Sequence, residues 1–64
     1  MKKKLVVEIE MESAAFEGDA ALEASRLLFN LAETIRRDGM DSLDNQTIIL
    51  MDVNGNAVGR CVIE

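Results

Sequence analysis

The stretch DVNGNAVG, Asp52 to Gly59, lies between two apolar runs and decides how the C-terminal half of this 64-residue chain is read. Asp52, Asn54 and Asn56 have the spacing of the first three ligands of a calcium loop of the EF-hand type. Such a loop also needs glycine at its sixth position and glutamate at its twelfth. Counted from Asp52 those positions hold Ala57 and Ile63, so the sharp turn and the bidentate ligand are both missing. A hairpin turn accounts for every residue instead. Asn-Gly between apolar runs is the strongest short-range hairpin signal. Asp52, Asn54 and Gly55 also suit positions i, i+2 and i+3 of a type I turn with a bulge. The stretch is a turn, and no metal site is expected in it.

The turn type leaves the register open. A two-residue Asn54-Gly55 loop pairs Val53 with Asn56, whereas a bulged turn pairs Asp52 with Asn56. The choice exchanges which of Ile48 and Leu50, or Ile49 and Met51, share a face with Cys61 and Ile63. In both registers each face of the hairpin carries several large apolar side chains. One helix covers one face only. The other face, near Val58 and Val62, is expected to need another cover or to lie open.

Outward from the turn, QTIILMD and AVGRCVIE read as strands over about 46–53 and 57–63. Upstream, KLVVEIEME alternates, with Leu5, Val7, Ile9 and Met11 on one side and Lys4, Val6, Glu8 and Glu10 on the other. That period of two predicts a half-buried strand over about 4–11. Gly18 closes the extended region, and Asp19 is the expected N-cap of a helix over about 20–38. Ala20, Ala24, Leu27, Leu28, Leu31 and Ile35 form its apolar stripe, and Glu23, Arg26, Asn30, Glu33 and Arg37 the opposite face. Arg36 and Arg37 suit the negative end of the helix dipole, and Gly39 suits the C′ position. MDSLDN, 40–45, reads as a connecting loop.

Leu22 and Phe29 do not belong to the stripe. They are seven residues apart, hence stacked on the helix, and are bordered by Ala32 and the stem of Arg36. Either a broad core or the SAAF segment covers them, or they form a contact patch for another chain. Leu22, Phe29, Val58 and Val62 are therefore the candidate interface residues. The fold expected is a single α+β domain, 1–64, of β-α-β-β order. A helical return makes strands one and two run the same way, so placing strand three between them keeps every pairing antiparallel, in the order 1-3-2. The alternative order, 1-2-3, requires a parallel pair.

Composition narrows the function. Twelve acidic and seven basic residues give a net charge of −5, which disfavours contact with nucleic acid. Lys2, Lys3 and Lys4 are the one basic cluster. Glu8, Glu10 and Glu12 interrupt any signal-peptide core, and no run approaches a membrane span. With one cysteine no intrachain disulfide is possible, and the expected location is cytoplasmic. The chain has no His, Tyr or Trp, which removes the commonest general base and the usual zinc ligand. Cys61 sits in an apolar strand with no nearby base, and reads as a small buried hydrophobe. The glycines match no phosphate-binding spacing; Gly59 is expected to mark a bulge or a place where the helix backbone comes close. No catalytic residue, cofactor or metal is expected.

The pattern LVVEIEMESAAFE, an acidic Leu-rich helix and the ending DVNGNAVGRCVIE resemble small uncharacterised proteins encoded by bacteriophages and prophages. Their NGN-x-VG hairpin is the most specific element, and Cys61 stands where they often carry an aromatic residue. The resemblance implies a compact bacterial or phage accessory protein and assigns no activity. Two function classes follow. The first is a non-enzymatic interaction or regulatory module acting on an unidentified protein partner. The second is a nucleic-acid or transcription accessory that contacts a phosphate backbone through its sheet or its lysine arm. A core this small gains most from added buried area, so a homodimer is expected.

Overall fold

In the computed structural model, which describes residues 3–44 and 46–64, the Asn-Gly turn takes the bulged form. The Gly55 N–H donates to the Asp52 carbonyl at 3.0 Å, and the Asp52 N–H donates to the Asn56 carbonyl at 2.8 Å. Asp52 therefore pairs with Asn56. Gly55 has φ +84°, a left-handed conformation that glycine adopts without a Cβ clash. Lys2 of the basic cluster and Asn45 of the connecting loop lie outside the described residues.

From this turn the chain builds a three-stranded antiparallel sheet of β1 (Leu5–Ile9), β2 (Ile48–Met51) and β3 (Ala57–Ile63), in the order β1-β3-β2. Helix α1 (Ala20–Asp38) packs on one face, and 3-10 turns occupy Ala14–Phe16 and Met40–Leu43. This is the expected α+β architecture with its expected strand order. β1 and β2 are shorter than the spans of about 4–11 and 46–53 expected from the sequence. The β1 ladder does continue at both ends, through reciprocal Lys4–Glu64 bonds and a Glu10 N–H bond to Val58.

Leu5 pairs with Ile63, Val7 with Cys61 and Ile9 with Gly59, while Ile48 pairs with Cys61 and Leu50 with Gly59. Alternation then puts Val7, Ile9, Ile48, Leu50 and Cys61 under the helix, and Val6, Glu8, Ile49, Arg60 and Val62 on the open face. The buried cluster is Phe16, Leu27, Leu31, Leu50, Val58 and Cys61.

Val58 corrects the sequence reading, which set it beside Val62. Leu50 opposes Gly59 but Met51 opposes Ala57, so Val58 is one extra residue on β3. A bulge re-aims the side chain at that position, and Val58 turns into the core. Leu28 is a second correction. The core line of α1 runs through Leu27 and Leu31, and Leu28, about 100° round the helix from Leu27, is 48% exposed. Glu23 is the third: expected among the solvated charges, it is 6% exposed. Two segments read only as connections supply core residues, since their 3-10 turns bring Phe16 and Leu43 inside.

Gly59 is required by β1 and not by the helix. A Cβ built on it runs into the Glu8 carbonyl oxygen and comes within 3.1 Å of the Ile9 Cα. Its cost is steric, as its φ is not left-handed. Gly59→Ala should therefore destabilise the protein by about 1–3 kcal/mol, the usual penalty of overpacking, measured as a lowered midpoint in urea. An unchanged midpoint would show that β1 and β3 are less closely apposed.

Candidate interaction surface

Which residues of α1 face outward depends on how the helix is rotated, and polar contacts fix that rotation. Asp19 caps the first turn by accepting the Leu22 N–H at 3.0 Å. Glu23 accepts a two-point contact from Arg26, Nε at 2.9 Å and Nη2 at 2.8 Å. It also accepts the Val53 N–H at 3.0 Å. Arg26 Nη2 reaches on to the Met51 carbonyl at 3.3 Å. One carboxylate thus joins the helix to the hairpin turn.

Asp52, 4% exposed, organises the turn itself. Its Oδ1 accepts the Asn54 N–H at 2.9 Å and the Asn56 N–H at 2.8 Å, and its Oδ2 accepts Ser13 Oγ at 2.8 Å and Asn56 Nδ2 at 3.3 Å. The spacing that imitates a calcium loop is used to hydrogen-bond the turn to its own backbone. Among the described residues no group of three His, Cys, Asp or Glu is placed to hold a metal ion. Both carboxyls are held below the usual carboxylate range. For Glu23 the hydrogen bonds from Arg26 act most strongly, against desolvation and with help from the Val53 N–H. For Asp52 the Asn56 N–H acts most strongly, again against desolvation. Anionic and already engaged, the pair serves the fold.

With α1 held this way, its outer side is apolar. Leu22 is 68% exposed and Phe29 66%. Leu28 joins them, and exposed Ala21, Ser25 and Ala32 fill the space between without a charge. Charges collect at the ends: Glu17 and Asp19 near the N-terminus, and Arg36 and Arg37 near the C-terminus. Arg36 is 3.7 Å from Glu33 and Arg37 is 3.0 Å from Asp38, all exposed.

The structure thus brings Leu22 and Phe29 together on the outer side of α1 and adds Leu28, whose wheel angle, about 20° from that of the core-packed Ile35, carried no signal of its exposure. It separates them from Val62, which lies on the open face of the sheet opposite Val6 on β1. That face is mixed. Arg60 pairs with Glu8 at 3.0 Å, beside exposed Ile49. An open groove of about 490 Å³, lined in part by Glu8, Glu10, Ile49 and Arg60, crosses it. Lys3 is engaged with Asp44 at 3.1 Å, which leaves the basic arm less free for phosphate. Cys61 is fully buried, and burial pushes its thiol pKa up, away from the reactive thiolate. No helix among the described residues is long and apolar enough to cross a membrane. The chain matches no family model, and neither the curated proteins nor the solved structures contain a match.

The lowered carboxyls make stability depend on acid. A group whose folded pKa lies below its unfolded value stabilises above the unfolded pKa, and that stability is lost as pH falls through the folded one. Unfolded carboxyls titrate near pH 4, so the loss from Glu23 and Asp52 begins there and continues at lower pH. Urea midpoints measured downward from neutral pH should fall in that window. The fall should be shallower in Glu23→Gln and in Asp52→Asn, both of which are less stable than wild type at neutral pH. Equal slopes in all three proteins would assign the acid sensitivity elsewhere.

Proposed function

We propose that this protein is a non-enzymatic protein-interaction module, homodimeric and cytoplasmic, that binds its target through the outer face of α1. The observation that carries the reading is the uncharged strip of Leu22, Leu28 and Phe29, interleaved with Ala21, Ser25 and Ala32 and exposed along the helix. Contiguous apolar surface of this kind, rimmed by charge, is what interaction sites use. Large side chains set among small ones suit a helix laid against a groove or another helix.

The other parts of the reading rest on composition and size. A single buried thiol suits a reducing compartment, and a thin core favours self-association. The resemblance to small phage and prophage proteins supports an accessory factor acting on a host protein. The engaged carboxylates and the buried thiol favour binding over catalysis.

A photoreactive phenylalanine analogue placed at position 29 tests the surface in bacterial cells. It should give a discrete heavier adduct that is lost when Leu22→Glu is added. Phe29→Glu should abolish target binding while changing stability by no more than about 0.5 kcal/mol, as surface substitutions do. Absence of any adduct, or an adduct indifferent to Leu22→Glu, would remove α1 from the binding role.

A further inference from the structure

We propose that the free edge of β1 pairs with the same edge of a second copy, antiparallel and centred on Val7, joining two sheets into one of six strands. The proposal rests on the homodimeric reading above and names the surface that makes the dimer.

β1 lies at the edge of the sheet and is bonded on its inner side alone. Reciprocal bonds between Lys4 and Glu64 fix which residues point inward, and the register with β3 carries that pattern to Val6 and Glu8. In an antiparallel ladder the alternate residues point the other way. The N–H and C=O groups of Leu5, Val7 and Ile9 are thus directed out of the edge. The bulge of the sheet lies between β2 and β3, and β1 contains no proline, so neither a bulge nor a proline blunts this edge, and its protection rests on its charges alone.

A two-fold axis through Val7 sets Leu5 opposite Ile9 of the other copy and Val7 opposite itself. Every outward backbone group then meets another outward group. The side chains obey the same symmetry. Lys4 and Glu10 each lie three residues from Val7, so Lys4 of each copy faces Glu10 of the other. Within one chain they are about 20 Å apart, six steps of extended backbone. Neither makes an ion pair with another described residue, whereas Lys3, Glu8 and Arg60 do. Opposite charges across a strand pair favour it, and like charges oppose it. β1 is therefore complementary to itself in both backbone groups and charge. The axis is perpendicular to the sheet, so both α1 helices lie on the same side with their outer faces free.

Sedimentation equilibrium of wild type, Lys4→Glu, Glu10→Lys and the double variant tests this. The wild type should be a dimer. Each single variant should raise the dissociation constant at least tenfold, although one makes the chain more acidic and the other less so. The double variant should recover most of the loss, which a general charge effect would not. Hydrogen exchange gives a second readout: the Val7 amide should be protected in concentrated solution and lose protection on dilution. A monomeric wild type at millimolar concentration, a dimer indifferent to both single variants, or a Val7 amide equally exposed at all concentrations overturns the proposal. Crosslinking at position 29 reports on α1 independently, so failure here is distinguishable from failure of the binding surface.

Discussion

The carboxylate of Glu23 occupies a position where a charge is costly, and much of the molecule is arranged around keeping it there. Burying an ionised group without partners opposes folding strongly, and here the Arg26 fork and the Val53 N–H provide them. Those partners belong to different parts of the chain, one a turn along the helix and the other in the hairpin loop. The contact therefore sets the roll of α1 about its own axis. Leu27 and Leu31, one and two turns beyond Glu23, are carried onto the sheet, and Leu22 and Phe29 are carried away from it. The apolar outer face follows from where an acid had to go.

Asp52 does the complementary work for the turn. It gathers two backbone N–H groups, the Ser13 hydroxyl and the Asn56 amide, so the loop before α1 and the hairpin after it are held to one point. A core built from six clustered side chains has little to spare. In so small a domain, polar contacts between segments distant in sequence do part of what additional hydrophobic layers do in a larger one. The helix, anchored at this end, shields one face of the sheet and leaves the other to a mixed surface of valines, Ile49 and the Glu8–Arg60 pair.

The features legible in the sequence were those that rest on local chemistry. Asn54-Gly55 announced a turn, Asp19 and Gly39 bracketed the helix, and the alternation of KLVVEIEME marked a strand. The strand order followed from handing the chain back across a sheet by a helix. What the sequence hid was long-range. On a helical wheel Glu23 lies about 80° from Glu33 and one turn before Leu27, at the margin of the core line, but its burial also needs the hairpin turn within reach, and that is not local. Val58 obeys alternation until a bulge, set by pairing with β2, inserts a residue. Phe16 and Leu43 sit in segments too short to show a period, and their burial depends on what packs above them. Among the candidate interface residues, Leu22 and Phe29 were legible because a wheel angle is local, and Val58 was misplaced because a bulge is not.

Cys61 gives the molecule an internal clock for its own opening. The thiol is at the centre of the middle strand, paired with Val7 on one side and Ile48 on the other, and no part of it reaches solvent. A modifying reagent or an oxidant reaches the sulfur only after β3 has parted from its neighbours and the helix has lifted. When reclosing outpaces the chemistry, such reactions track the population of opened molecules. The same burial that makes the sulfur chemically silent in the native state thus ties its slow modification to the free energy of unfolding. Oxidation of this thiol, unlike that of the exposed Met11, Met40 and Met51, would accordingly fall on molecules that had already lost their fold.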